Sequence, residues 1–350
     1  MEQTPDQSSS NTTNKYPVKS KEPSVSNKQL VAEDGTSMTP AVADTSTVPQ
    51  RSSQSSKNTL SAKKSTKRKM QVSNGHYLDF DHLARLTNAI SSLKKFPKVK
   101  MSDLAEETGL PFRQVRNRVS IARALGLLEK NILQLTSLGN LISIHDPFCE
   151  SIATLEYLHY KAASNFENLI WYEIFNSLLI HENMMKYTGW MEYFQKSLSN
   201  QYTEKSLKDH LGKEVRFVLD AYTKQNFQKL LLLHQDEADN IFRRRYTKFV
   251  PLVLSAMIYN FCATRETHLS QVGKMAVTPG SPAVVFGLDA TLFRQQIEGL
   301  HDRGWVRYET THNLDQIRLK PDFSALEFLT AHFEEREPRE DIKQSPGDII

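Results

Sequence analysis

The sequence predicts a mainly α protein with small β-wings: an N-terminal winged helix-turn-helix, a helical middle domain and a C-terminal winged-helix-like α+β part. Three observations carry this. Apolar residues recur at helical spacing in three blocks between Phe80 and Ala124, broken at Pro97 and Gly109. From Ser151 to about Asn226 the pattern stays helical, with aromatic anchors. Two helices that end at a glycine, Gly126 and Gly304, are each followed by a pair of short strand-like runs around a polar turn.

The helices follow in order. Leu83, Leu86, Ile90 and Leu93 give one amphipathic helix over Phe80–Lys95, stopped by Pro97. Ser102 reads as the N-cap of a second helix with acids in its first turn, and Gly109 supplies the left-handed residue that a tight helix-to-helix turn needs. Pro111 opens a third helix to about Ala124, with Phe112, Val115, Val119 and Ala122 on its inner face. Leu127–Glu129 and Ile132–Leu135 then read as wing strands around Lys130-Asn131. A short helix spans Ser137–Ile142, and Pro251–Cys262 is helical. Ala283–Phe286 reads as a strand from its valines, and Asp289 caps a helix with core residues Leu292, Phe293, Ile297 and Leu300. Trp305–Glu309 and Leu314–Leu319 form a hairpin.

The domain boundaries that follow are 1–75 for a disordered basic tail, 76–145 for the winged helix-turn-helix, 146–248 for the helical middle, 249–333 for the C-terminal module and 334–350 for a charged tail. The tail's composition is polar, and it ends in a run of five cations from Lys63 to Lys69 that serves either as an arm on phosphates or as a solubilising segment.

Composition excludes some classes. No run of eighteen apolar residues exists, and the longest, Val250 to Cys262, is broken by Ser255 and Asn260, so no membrane partner is expected. Cys149 and Cys262 form no metal-ligand or disulfide pattern, and a reducing cytoplasm is the default. The histidines are scattered, and no nucleophile-base pair, glycine-rich phosphate loop or metal motif appears. No catalytic residue, metal or cofactor is therefore expected. The net charge is +4, of which residues 1–75 hold +5 (eleven bases, six acids) and the remainder −1 (33 bases, 34 acids). A nucleic-acid contact must use a local patch. One exists: Arg85 to Lys130 holds ten bases against four acids, or +6.

The third helix carries the sharpest signal. Arg113, Asn117 and Ser120 lie opposite its inner face, with Gln114 beside them, as a recognition helix requires, and arginine, glutamine and asparagine can bond base edges in the major groove. Arg116, Arg118 and Arg123 flank that face and suit phosphate. Lys98 and Lys100 either clamp the backbone or sit in a solvated loop, and Lys130 either touches a minor groove or closes a turn. The alternative for the whole unit is a winged fold that contacts only proteins. Arg243-Arg244-Arg245 is expected to pair with Asp236, Glu237 and Asp239 rather than with phosphate, and His159 to be a hydrogen-bonded core histidine.

Beyond the wing the order of motifs resembles a known family. It runs through Leu135-Thr136-Ser137-Leu138-Gly139, Asp146-Pro147-Phe148-Cys149-Glu150 and Thr154-Leu155-Glu156-Tyr157-Leu158-His159. It continues with Trp171-Tyr172-Glu173-Ile174-Phe175-Asn176, Val215 to Tyr222, and Ser281 to Asp289. This series, over roughly residues 80–320, resembles the bacterial domain-of-unknown-function 4007 family. The chain departs from it at Gly75-His76-Tyr77-Leu78 and at Ser151. The family's members look like neighbours of sulfate-reductase-like and DNA-modification genes in phage-defence islands. The resemblance implies a role in DNA modification or defence, by association. The expectation is a non-enzymatic DNA-binding accessory or regulatory protein with double-stranded DNA, and other subunits of such a system, as partners. The alternative is an adaptor without DNA contact, and a nuclease ranks last. Neither the oligomeric state nor the DNA site is legible.

Overall fold

The computed structural model describes residues 68–94, 99–179, 184–311 and 314–339. It is mainly helical with two small antiparallel sheets. Helix α1 (Phe80–Leu93) starts where Asp79 accepts a hydrogen bond from the His82 amide. Helix α2 (Met101–Thr108) begins two residues earlier than a Ser102 cap implies: Asp103 does the capping, accepting from the Lys100 amide at 2.9 Å. Gly109 ends α2 with φ +67°, and α3 (Phe112–Ala124) follows.

The loop after α3 is not a pair of strands. One bridge, Leu128 to Leu135, closes it, through the bonds from the Glu129 amide to the Gln134 carbonyl and from the Thr136 amide to the Leu127 carbonyl (both 3.0 Å). Arg123 donates to the Glu129 and Ile132 carbonyls (3.0 and 3.4 Å), doing with a side chain what a longer ladder does with backbone. Helix α4 (Ser137–His145) packs directly on this loop. A Cβ added at Gly139 would stand 2.1 Å from the Leu127 carbonyl oxygen. Gly139→Ala should cost about 1–3 kcal/mol by overpacking, although alanine favours a helix by about 1 kcal/mol. A urea midpoint at or above that of the unaltered chain would contradict so close an approach.

Helix α5 (Ile152–Ser164) is the centre of the molecule and is buried on nearly all sides. Around it lie α6 (Leu169–Glu173), continued by a π turn over Ile174–Leu178, then α7 (Tyr187–Leu198) and α8 (Gly212–Thr223). Strands β1 (Met184–Lys186), β2 (Leu233–Gln235) and β3 (Asn240–Arg243) form a sheet in the order β1-β3-β2. Ile241 pairs with Met185 on one side and Gln235 on the other. Helix α9 (Pro251–Ala263) leads to β4 (Leu269–Gln271), α10 (Val272–Met275), α11 (Pro282–Phe286) and α12 (Ala290–Asp302). Strands β5 (Val306–Glu309) and β6 (Gln316–Leu319) form the expected hairpin, and β4 joins it through β6. Helix α13 (Ala325–Phe333) packs on α9.

Four expectations are corrected. Ala283–Phe286 belongs to a helix, because Ser281 caps it, Pro282 fits its first turn and Gly287 closes it. Local caps outweigh the strand preference of two valines. Next, the chain before residue 75 is not all tail: Met70, Val72 and Ser73 are buried. Arg68 pairs with Glu173 at 2.6 Å and lies over the Phe166 ring, and Lys69 bridges to Asn168. Lys63, Lys64 and Lys67 lie outside the described residues. Beyond α13, the segment to Arg339 is tied down by Glu327, which accepts from Arg336 and from the Arg339 amide (both 2.6 Å). Finally, the arginine triplet does not pair with the acids upstream. Arg243 is sunk against the Leu179, Val284 and Val285 carbonyls, Arg245 reaches Asp289 (3.4 Å), and Asp236 closes its own turn on Asn240. The core is continuous from Met70 to Leu329.

Candidate nucleic-acid interface

Helix α3 presents one narrow outward face. Phe112, Arg113 and Arg116 are exposed, and Gln114 and Ser120 are half-buried beside them. Spacings of three and four put 113, 116 and 120 on one side. Phe112 is corrected from the inner stripe: it is 56% exposed, as is Tyr77 from the segment just before α1. His76 lies close enough to Arg113 and Arg118 that burial first, and their charges second, push its pKa down.

Asn117 and Arg118 do not face solvent, contrary to the roles expected of them; they are 3% and 2% exposed. The cause is the segment that reads as tail. Residues 72–77 run over this flank of α3 and are held from behind by Glu214 of α8, whose carboxylate accepts from the amides of Val72, Ser73 and Asn74. Asn117 accepts from the Asn74 side chain (3.1 Å). Arg118 donates to the Tyr77 carbonyl (2.6 Å), meets His82 Nδ1 (3.2 Å) and stands 3.8 Å from Asp79. Burial lowers the Arg118 pKa, more than Asp79 restores it. Arg118 is thus a strut that fixes the start of α1 against α3.

Arg123 is half-buried and occupied by the carbonyls of the following loop. Lys130 is exposed but paired with Glu167 at 2.7 Å. Lys100 is exposed at the start of α2, and Lys98 lies outside the described residues. Of the ten residues singled out by sequence, α3 brings together four on its open face: Arg113, Gln114, Arg116 and Ser120. The exposed aromatics Tyr77 and Phe112 were not anticipated. Their one signal is position, each next to a break in helical pattern at Gly75 or Pro111.

The fold has known counterparts. Two crystal structures, "Magnesium ion-bound SspB crystal structure" and "SspB crystal structure", superpose with TM-scores of 0.61 and 0.62. Each is 13% identical, and the alignment covers 79% of this chain and 89% of that one. At that identity the likeness is one of fold. No curated protein matches the sequence. A family model described as "Protein of unknown function (DUF4007)" matches residues 121–333. The match starts in the last turn of α3 and leaves Arg113 and Arg116 outside it. Because it spans more than half of the sequence, the chain belongs to the DUF4007 family.

Proposed function

We propose that this chain is a DNA-binding accessory or regulatory protein, in which α1 to α3 and the loop 127–136 act as a winged helix-turn-helix and α3 enters the major groove. One observation carries the reading. Arg113 and Arg116 stand exposed on one face of α3, and among the described residues neither has a carboxylate within 4.0 Å. Arginines left unpaired in this way, with the exposed ring of Phe112 at the start of the same helix and that of Tyr77 beside Arg118, suit phosphates and base edges. Placement in a DNA-modification or phage-defence system rests on the family resemblance alone.

Duplex titration at two salt concentrations tests this. Arg113→Ala should reduce discrimination at one base pair by about 1–3 kcal/mol. Arg116→Ala should weaken all sequences alike and lower the salt slope by about 1. Absence of any duplex shift at low salt, with salt-insensitive co-purification of another protein, would replace DNA binding by the adaptor role.

Strand cleavage ranks last: a magnesium ion is named for one of the two fold relatives, which speaks of that protein alone. Among the described residues no group of three or more His, Cys, Asp and Glu side chains is placed to share a cation. No metal step is therefore derived. Conversion of supercoiled plasmid to nicked circles by this chain with magnesium would establish cleavage.

A further inference from the structure

A cleft of about 730 Å³ opens where the loop after α3, the end of α5, the end of α9 and the start of α13 meet. Its polar lining includes Arg123, Lys130, Lys161 and Arg265 against a single acid, Glu129. Glu129 is exposed. Basic residues near helix C-termini ordinarily answer the free carbonyls there. Arg265 fits that account, since it donates to the Phe261 and Pro279 carbonyls and its guanidinium carbon lies over the Phe261 ring, 3.7 Å from its centre.

Lys161 does not fit it. Its ammonium reaches only the Asn260 side-chain oxygen, at a long 3.4 Å, and among the described residues no carboxylate comes within ion-pair distance. Burial pushes its pKa down. Lys161 is half-buried, and an ammonium drawn partly out of water without a counter-charge is costly. An anion entering the cleft would supply that charge. The volume far exceeds what a simple oxyanion fills and lies in the range of sites for small organic ligands. Leu138, Leu326 and Leu329 give the same cleft an apolar wall.

We propose that this cleft binds a nucleoside monophosphate unit, with its phosphate between Lys161 and Arg265 and its base and sugar against the leucine wall. The unit is either a free nucleotide or the 5′-phosphorylated end of a DNA strand. The strand-end source rests on the DNA-binding reading, because the loop after α3 forms one lip of the cleft; the free-nucleotide source does not.

Calorimetric titration of the full chain tests this with four probes: dAMP, inorganic phosphate, and one single-stranded oligonucleotide with a 5′-phosphate or a 5′-hydroxyl. Binding of dAMP at least tenfold tighter than of phosphate is expected. A preference for the phosphorylated oligonucleotide over both dAMP and its hydroxyl form would identify the strand end as the source. Lys161→Met should lower affinity for the preferred probe at least tenfold and leave the unliganded melting temperature unchanged or higher, since it removes an uncompensated charge. Lys161→Arg should retain part of the binding. The proposal is overturned if neither dAMP nor the phosphorylated oligonucleotide binds at millimolar concentration, if phosphate binds as well as dAMP, or if Lys161→Met binds like the unaltered chain. It is equally overturned if Lys161→Met melts lower, which would make Lys161 a structural residue. A duplex shift without nucleotide binding removes this inference alone; nucleotide binding without a duplex shift supports it and removes only the DNA reading.

Discussion

A chain carrying Glu214→Ala is expected to lose about 3 kcal/mol or more of stability, at about 1–3 kcal/mol for each buried donor left without a partner. Glu214 is buried, and its two oxygens take the Val72, Ser73 and Asn74 amides at 3.1, 3.0 and 2.8 Å and the Ser73 hydroxyl at 2.9 Å. Three successive N–H groups converging on one carboxylate form an anion nest filled from within the protein. Alanine empties it. The loss has a ceiling, because residues 69–77 can leave the surface and hydrate their amides instead. Their release would expose Met70 and Val72 and take the Tyr77 carbonyl from Arg118. Hydrogen exchange distinguishes this from general loosening: amides 69–77 should lose protection while those of α5 keep it. Glu214→Gln should fall between, since an amide offers one acceptor oxygen where the carboxylate offers two. An unchanged urea midpoint for Glu214→Ala would remove the anchoring role.

The same segment shows what the sequence could and could not reveal. Helices α1 and α3 follow from periodicity and breaks, because both the amphipathic stripe and its stops are local signals. The docking of residues 68–77 is not local. Its partners are Glu167, Glu173 and Glu214, roughly a hundred or more positions away, and the segment's only buried apolar residues are Met70 and Val72. Polar residues there read as solvated when they are consumed by buried hydrogen bonds. This is also why Asn117 and Arg118 appear to lie on an open face: helical phase places them outward from α2, and a strand-like cover from elsewhere in the chain encloses them. Arg113, one turn before Asn117, and Arg116, immediately before it, escape it. The cleft around Lys161 had no sequence signature, since its walls come from four separated stretches.

The centre of α5 should set the pH dependence of stability. Glu156 and His159 lie one turn apart and are both fully buried. Burial pushes the Glu156 carboxyl from 4.5 up to about 8, outweighing the hydrogen bonds it accepts from the Tyr246 hydroxyl and the Val250 amide. Burial also pushes His159 from 6.5 down to about 3, helped by the Arg243 charge and opposed by the Val285 carbonyl. The hydrogen bonds show which form of the ring is held. The Trp171 indole can only donate, so the Tyr222 oxygen accepts from it and gives its own proton to His159 Nδ1; Nε2 then carries the hydrogen toward the Val285 carbonyl.

The signs are opposite. Between pH 4.5 and 8 the folded chain holds one proton more than the unfolded chain at Glu156, so stability falls as pH rises, by about 1.4 kcal/mol per unit. Between pH 6.5 and 3 it holds one fewer at His159, so stability falls as pH drops, with the same slope. The two cancel from 4.5 to 6.5. The curve should therefore show a plateau there, an alkaline limb up to pH 8 from Glu156 and an acid limb down to pH 3 from His159. Glu156→Gln keeps the shape and the acceptor for Tyr246 but cannot ionise. It should abolish the alkaline limb, leaving a variant more stable than the unaltered chain by a few kcal/mol at pH 8, where it would be about equal near pH 4.5. Surface groups common to both chains drop out of that difference. Denaturation midpoints for the two chains at several pH values give it directly, and a flat difference from pH 4.5 to 8 would mean that Glu156 ionises in the folded protein as freely as in water.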